Sequence, residues 1–191
     1  MLRTTWFAAS VLCLAAAPGA LGCGYDADIG SQFGALHPDS VVVAVALRKA
    51  ADRGLIKIEN LDAPGPKQAL LLDATLRLHA LKAALASPIS SGEPPFAFSI
   101  VLVESGLWSR IRVGDGGAQI EVHTDGARDG EATVLTGKPV LAKLLAETLS
   151  FERALTERLI VIDGSDAQRE AVSRALSAAL GAAPGLAAQA R

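Results

Sequence analysis

The stretch SPISSGEPP, residues 87–95, separates two incompatible hydrophobic periods. Upstream, Leu71, Ala74, Leu78, Leu81 and Leu85 recur at steps of three and four, which places them on one stripe of a helix spanning 67–86. Leu72, Leu76 and Ala83 form a second stripe a third of a turn away, which fits a deeply buried helix or one touching two apolar surfaces. Downstream, Ile111 and Val113, then Ile120 and Val122, alternate with Arg110, Arg112, Gln119, Glu121 and His123, the period of half-exposed strands. One change of period across prolines and small polar residues predicts helices first and a sheet second, an α+β chain.

The remaining elements follow from local chemistry. HPDSVVVAVALRKAADRG reads as an opening helix with Gly54 as its left-handed stop. LIKIE is a short strand candidate, and NLDAPGP a loop. FAFSIVLV is apolar on both faces, as a central strand is; LWSRIRV and AQIEVHT join through GDGG, and EATVLT completes a four-strand meander. KPVLAKLLAETL and SFERALTER are short helices. LIVID is apolar enough to be placed inside the sheet, and Ser165 with Gln168 forms a capping box for the last helix. The expected fold is a five-stranded, mainly antiparallel sheet covered by helices. The segments are a leader (1–22), a tether (23–37), a helical part (38–95), a sheet-and-helix block (96–180) and a tail (181–191).

The leader is expected from WFAASVLCLAAA, an uncharged run behind Arg3 that is too short for a membrane span and ends at Pro18 and Gly19. Ala20 and Gly22 are the small residues an export peptidase requires. ALGC resembles the lipobox of bacterial lipoproteins, with Ala20 where leucine is favoured and Leu21 where a small residue is favoured. Once Cys13 leaves with the leader, Cys23 is the sole thiol: an acylation site, a surface thiol or half of an intermolecular bridge. These readings place the chain in the periplasm or at a bacterial membrane surface.

Composition excludes some partners. The net charge is −2, and no basic tract supports nucleic-acid binding. His37, His79 and His123 have no second ligand at metal-binding spacing, YDADIG and HTDGARDGE are incomplete calcium loops, and no nucleophile elbow, phosphate loop or dinucleotide fingerprint is present. Neither a metal, a cofactor nor an enzymatic activity is expected. Asp73 with Arg77, and Arg110 and Arg112 with Glu121, read as solvated ion pairs.

From Phe96 to Leu180 the order of elements resembles the sterol carrier protein domain, on Gly106 with Trp108 at the second strand, ATVLTGKPVLAKLL, and LSFERALTERLIVIDG. Family members usually carry a glycine just before the final strand, where Glu157 and Arg158 stand here. The resemblance implies a non-enzymatic module holding a lipid or isoprenoid in an apolar pocket. Its walls would be Phe98, Ile100 and Leu102 from the first strand, with Leu141, Leu145, Phe151 and Leu155 from the following helices. The alternative is an envelope accessory or scaffolding protein that uses the fold to bind a protein partner.

Overall fold

The computed structural model describes residues 37–58, 67–86 and 94–181. The leader, Cys23, the tether up to residue 36, the NLDAPGP loop and the tail from residue 182 lie outside them. The elements run α1 (Ser40–Asp52), α2 (Lys67–Leu85), β1 (Phe96–Leu102), β2 (Leu107–Gly114), β3 (Gly117–Val122), β4 (Ala132–Thr136), α3 (Lys138–Leu145), α4 (Phe151–Thr156), β5 (Val161–Asp163) and α5 (Asp166–Leu180). Helices precede a sheet, as the change of period dictates. Leu55 to Ile58 is turn and irregular chain rather than a strand.

The five strands lie in the order β3-β2-β1-β4-β5. β1 is antiparallel to β2, with Phe98 opposite Ile111, and β2 to β3, with Ile111 opposite Ile120. β4 runs parallel to β1, with Phe98 opposite Ala132, and antiparallel to β5. The sheet is therefore mainly antiparallel, as expected, but the first four strands are not a meander. After β3 the chain returns across the sheet to the far side of β1. Burial gives the reason: all five residues of β4 are buried, which an edge position cannot provide, whereas β3 alternates. LIVID is the converse correction. Leu159 and Ile160 are buried but lie in a turn, and β5 itself is a three-residue, half-exposed edge strand. Its apolar run serves the core before the strand begins.

Along β1 and β4 both faces of the sheet are covered, and Phe98, Ile100 and Leu102 share one face with Ile111 and Val134 by register. α2 packs against β3, α3 and α5. Ala74, Leu78, Leu81 and Leu85 are buried, as their spacing requires, but Leu72 and Leu76 remain 60% and 59% exposed. The second stripe of α2 is thus an outer face, which corrects the expectation of a helix buried all round. Ser165 accepts from Gln168 N, and the Gln168 side chain accepts in turn from Ser165 N, so the predicted capping box closes.

Three helices end in the same two-bond motif, in which the residue after the cap turns left-handed. In α1, Leu55 N donates to Ala50 O and Gly54 N to Ala51 O, with Gly54 at φ 71°. In α3, Thr148 N donates to Lys143 O and Glu147 N to Leu144 O, with Glu147 at φ 54°. In α4, Leu159 N donates to Ala154 O and Arg158 N to Leu155 O, with Arg158 at φ 56°. The turn just before β5 is therefore made by an arginine at left-handed cost. Arg158→Gly should stabilise the fold by about 0.5–1 kcal/mol, because relief of ~1–2 kcal/mol of strain exceeds the added entropy of an unfolded glycine. A urea midpoint that falls on substitution would contradict this.

Candidate functional site

The site begins with a problem at the start of α3. Lys138 is the first helical residue, a cation at the positive end of the helix dipole, and its N-cap, Gly137, has no side chain to cap with. Glu104, from the turn between β1 and β2, solves it by accepting the Lys138 main-chain N–H. Glycine leaves room for this approach: a Cβ at residue 137 would stand 2.8 Å from Leu47 Cδ1 and 3.2 Å from Glu104 Oε2, so a larger residue would push those side-chain ends aside. The Lys138 side chain, 11% exposed, places Nζ 3.2 Å from Asp73 Oδ2. Arg77 holds the same carboxylate through Nε at 3.1 Å and Nη2 at 3.1 Å, so the predicted Asp73–Arg77 pair forms and gains a third member. Burial pushes the Asp73 carboxyl up, but hydrogen bonds from Arg77 and Lys138 outweigh it and hold the group below its ordinary value.

This cluster stands at one side of a cleft of about 520 Å³. Leu55, Ile56 and Ile58 come from the chain leaving α1, and Pro139, Ala142 and Ala146 from the side of α3 turned away from the core. Lys57, Arg77, Lys143, Glu104 and Lys138 supply the polar lining. A mostly apolar concavity of this size with a few convergent polar groups is the usual form of a small-molecule site.

The seven residues proposed as pocket walls are elsewhere. Phe98, Ile100, Leu102, Leu141 and Phe151 are each 2% exposed or less within the main core, and Leu145 and Leu155 are half-buried against it. None lines the cleft: Leu141 and Leu144 face the core, while Ala142 and Ala146 face the opening. Sequence reasoning missed the cleft because its walls come from irregular chain and from the small residues of α3. One signal was available, a lysine at the first position of a helix, which calls for a carboxylate from elsewhere.

A second, more open groove of about 770 Å³ runs along α1 beside the end of α4. Val41, Val45 and Ala46 line it with Lys49, Arg53, Glu157 and Arg158. Glu157 receives Arg153 Nε at 2.8 Å and Arg53 Nη2 at 2.5 Å, and these bonds, that of Arg153 foremost, hold its carboxyl below the ordinary value. On the sheet, Arg112 meets Glu121 at 3.3 Å as predicted, but Arg110 turns instead to Glu131 in a forked pair, both side chains only 16% exposed. That arginine holds the Glu131 carboxyl low.

The histidines lie apart: His37 Nε2 is 3.2 Å from Asp163 Oδ2, His79 is on the outer face of α2, and His123 follows β3. Among the described residues no group of three or more histidine, cysteine, aspartate or glutamate side chains is placed to hold a metal ion. No described helix is long and apolar enough to cross a membrane.

No family model matches the chain, and no curated protein matches it. Solved structures similar to it include sterol carrier protein 2 like 2 from Aedes aegypti, at 14% identity and TM-score 0.38, covering 55% of this chain and 97% of that one. Protein TT1886 from Thermus thermophilus aligns at 16% identity and TM-score 0.33, covering 59% and 82%. The sec-alkylsulfatase Pisa1 from Pseudomonas sp. aligns at 16% identity and TM-score 0.37 over 48% of this chain, which spans 13% of the sulfatase's length. Sterol carrier-like proteins, the family named from the residues, are thus among the structural neighbours of this α+β fold, a partial likeness that carries nothing about a ligand.

Proposed function

We propose that this chain binds a single-tailed hydrophobic ligand, a lipid or isoprenoid, in the cleft between the end of α1 and α3. The observation that supports this is the cleft itself, apolar along Leu55, Ile56, Ile58, Pro139, Ala142 and Ala146 and bordered on one side by the Asp73–Arg77–Lys138 cluster. A cleft of about 520 Å³ falls within the size range of small-molecule sites and suits one hydrocarbon tail. Each methylene that leaves water in the cleft contributes ~0.8 kcal/mol, and a partly buried tail gains the several kcal/mol needed to offset association. No covalent step is required. In the same reading the protein is exported, and acylation of Cys23 holds it at a membrane surface.

Ala142→Phe, a ring added to the cleft face of α3, should weaken displacement of a fluorescent fatty acid by palmitate at least tenfold while leaving the circular dichroism spectrum intact. Palmitate affinity unchanged in that variant, together with no lipid in an organic extract of the purified protein, would exclude the cleft as the site. The second reading, an envelope accessory protein, draws on the groove along α1, where Val41 and Val45 are 50% and 49% exposed. A stoichiometric protein partner lost on Val45→Glu would favour it.

A further inference from the structure

The charges around the cleft beside α3 run against those of the chain. Over the whole sequence acids outnumber bases, 20 to 18. In the cleft the order reverses, with Lys57, Arg77, Lys138 and Lys143 facing Glu104 alone. Two of these four cations are answered within the protein, because Arg77 and Lys138 share the Asp73 carboxylate at 3.1 and 3.2 Å. Glu104 is committed to the Lys138 main-chain N–H. Lys57 and Lys143 have no carboxylate within ion-pair distance among the described residues. We infer, resting on the lipid-binding reading above, that the ligand of this cleft carries a phosphate monoester on its single tail, held by Lys57 and Lys143.

Position and charge both support this. Lys57 stands between Ile56 and Ile58 on the chain leaving α1, and Lys143 follows Ala142 on α3, so each wall pairs apolar contact with one cation. Lys57 is exposed and Lys143 half-buried, which leaves both ammonium groups open to a ligand. With Asp73 included, four cations meet two carboxylates, and two positive charges remain. A carboxylate head would answer one of them, and a cationic head would add a third. A phosphate monoester carries a charge of about −1.5 to −2 at neutral pH and three acceptor oxygens, so it answers both. Lysine meets such a head as a point charge that needs no fixed fork geometry.

Displacement of a fluorescent fatty acid from the full chain by dodecyl phosphate, dodecanoate and dodecanol, which share one tail, tests the inference. An exposed ion pair is worth up to about fivefold in affinity, so dodecyl phosphate should bind about fivefold tighter than dodecanoate, and dodecanoate about fivefold tighter than dodecanol. Both steps should shrink below about twofold in 1 M salt, where charges are screened beyond ~3 Å. Lys57→Gln combined with Lys143→Gln should weaken dodecyl phosphate about tenfold and dodecanol less than about twofold, a split that loss of fold could not produce. Equal affinities for the three ligands, with dodecanol still weakened by Ala142→Phe, would overturn the phosphate head and leave the cleft as a lipid site. No displacement by any of the three would overturn both readings. Inorganic phosphate bound as tightly as dodecyl phosphate would assign the lysines to a free anion and overturn the tailed ligand.

Discussion

Phe98→Ala should cost about 3–5 kcal/mol, the range for deleting an aromatic ring from a core that cannot collapse around the gap. Phe98 is 0% exposed at the centre of the sheet, between Ile111 of β2 and Ala132 of β4, and its ring stacks on Phe96 with centroids 6.3 Å apart. Domains of this size are stable by roughly 5–15 kcal/mol, so the variant loses a large share of its margin. A urea midpoint measured beside Phe96→Ala provides the scale. Phe96 is only half-buried at the start of the strand and should cost markedly less. This comparison also bears on where a ligand lies. If Phe98 lined a hollow, its ring would already lack partner atoms on one side, and the cost would fall below that range. A small effect at Phe98 would therefore return the ligand to the sheet face and count against the cleft by α3.

Glu104→Ala is expected to be the second large loss, about 1.5–3 kcal/mol, the value of a hydrogen bond to a charged group. Its carboxylate caps α3 from a distant turn, and Lys138, Nζ 3.2 Å from Asp73, is otherwise a cation at the wrong end of a helix dipole. Glu104→Gln keeps an acceptor and loses only the charged part, so the order of stability should be wild type, then glutamine, then alanine. Equal stabilities for the alanine and glutamine variants would show that the Glu104 contact to α3 contributes nothing. Because the same residues line the cleft, the alanine variant should also loosen α3 and weaken palmitate binding; intact binding beside a large stability loss would separate the cap from the site.

The legible part of this protein was its local order. The period of Leu71 to Leu85, the alternation in β2 and β3, Gly54 at the end of α1 and the capping box at Ser165 all depend on residues a few positions apart, whose geometry is fixed by backbone chemistry before any packing. The same rules could not anticipate Glu147 and Arg158 in left-handed turns, because neither residue favours that conformation. It is imposed by the burial of Leu159 at the turn's exit and by the packing of the helices that precede each turn. Arg110 was likewise read toward Glu121, its cross-strand neighbour, and only the return of the chain across the sheet brought Glu131 within reach.

Sequence alone determined the α+β class, the order of the helices, the central place of β1 and the Asp73–Arg77 pair, all matters of period and short range, but it ran α3 on through Leu149 where the structure ends it at Leu145. Tertiary structure decided the parallel pairing of β4 with β1, the edge position of β5, the exposure of Leu72 and Leu76, and the assembly of the cleft from four separate segments. Hydrophobic burial is non-directional: a pattern of leucines states that a face will leave water, and only the folded chain states what it will meet.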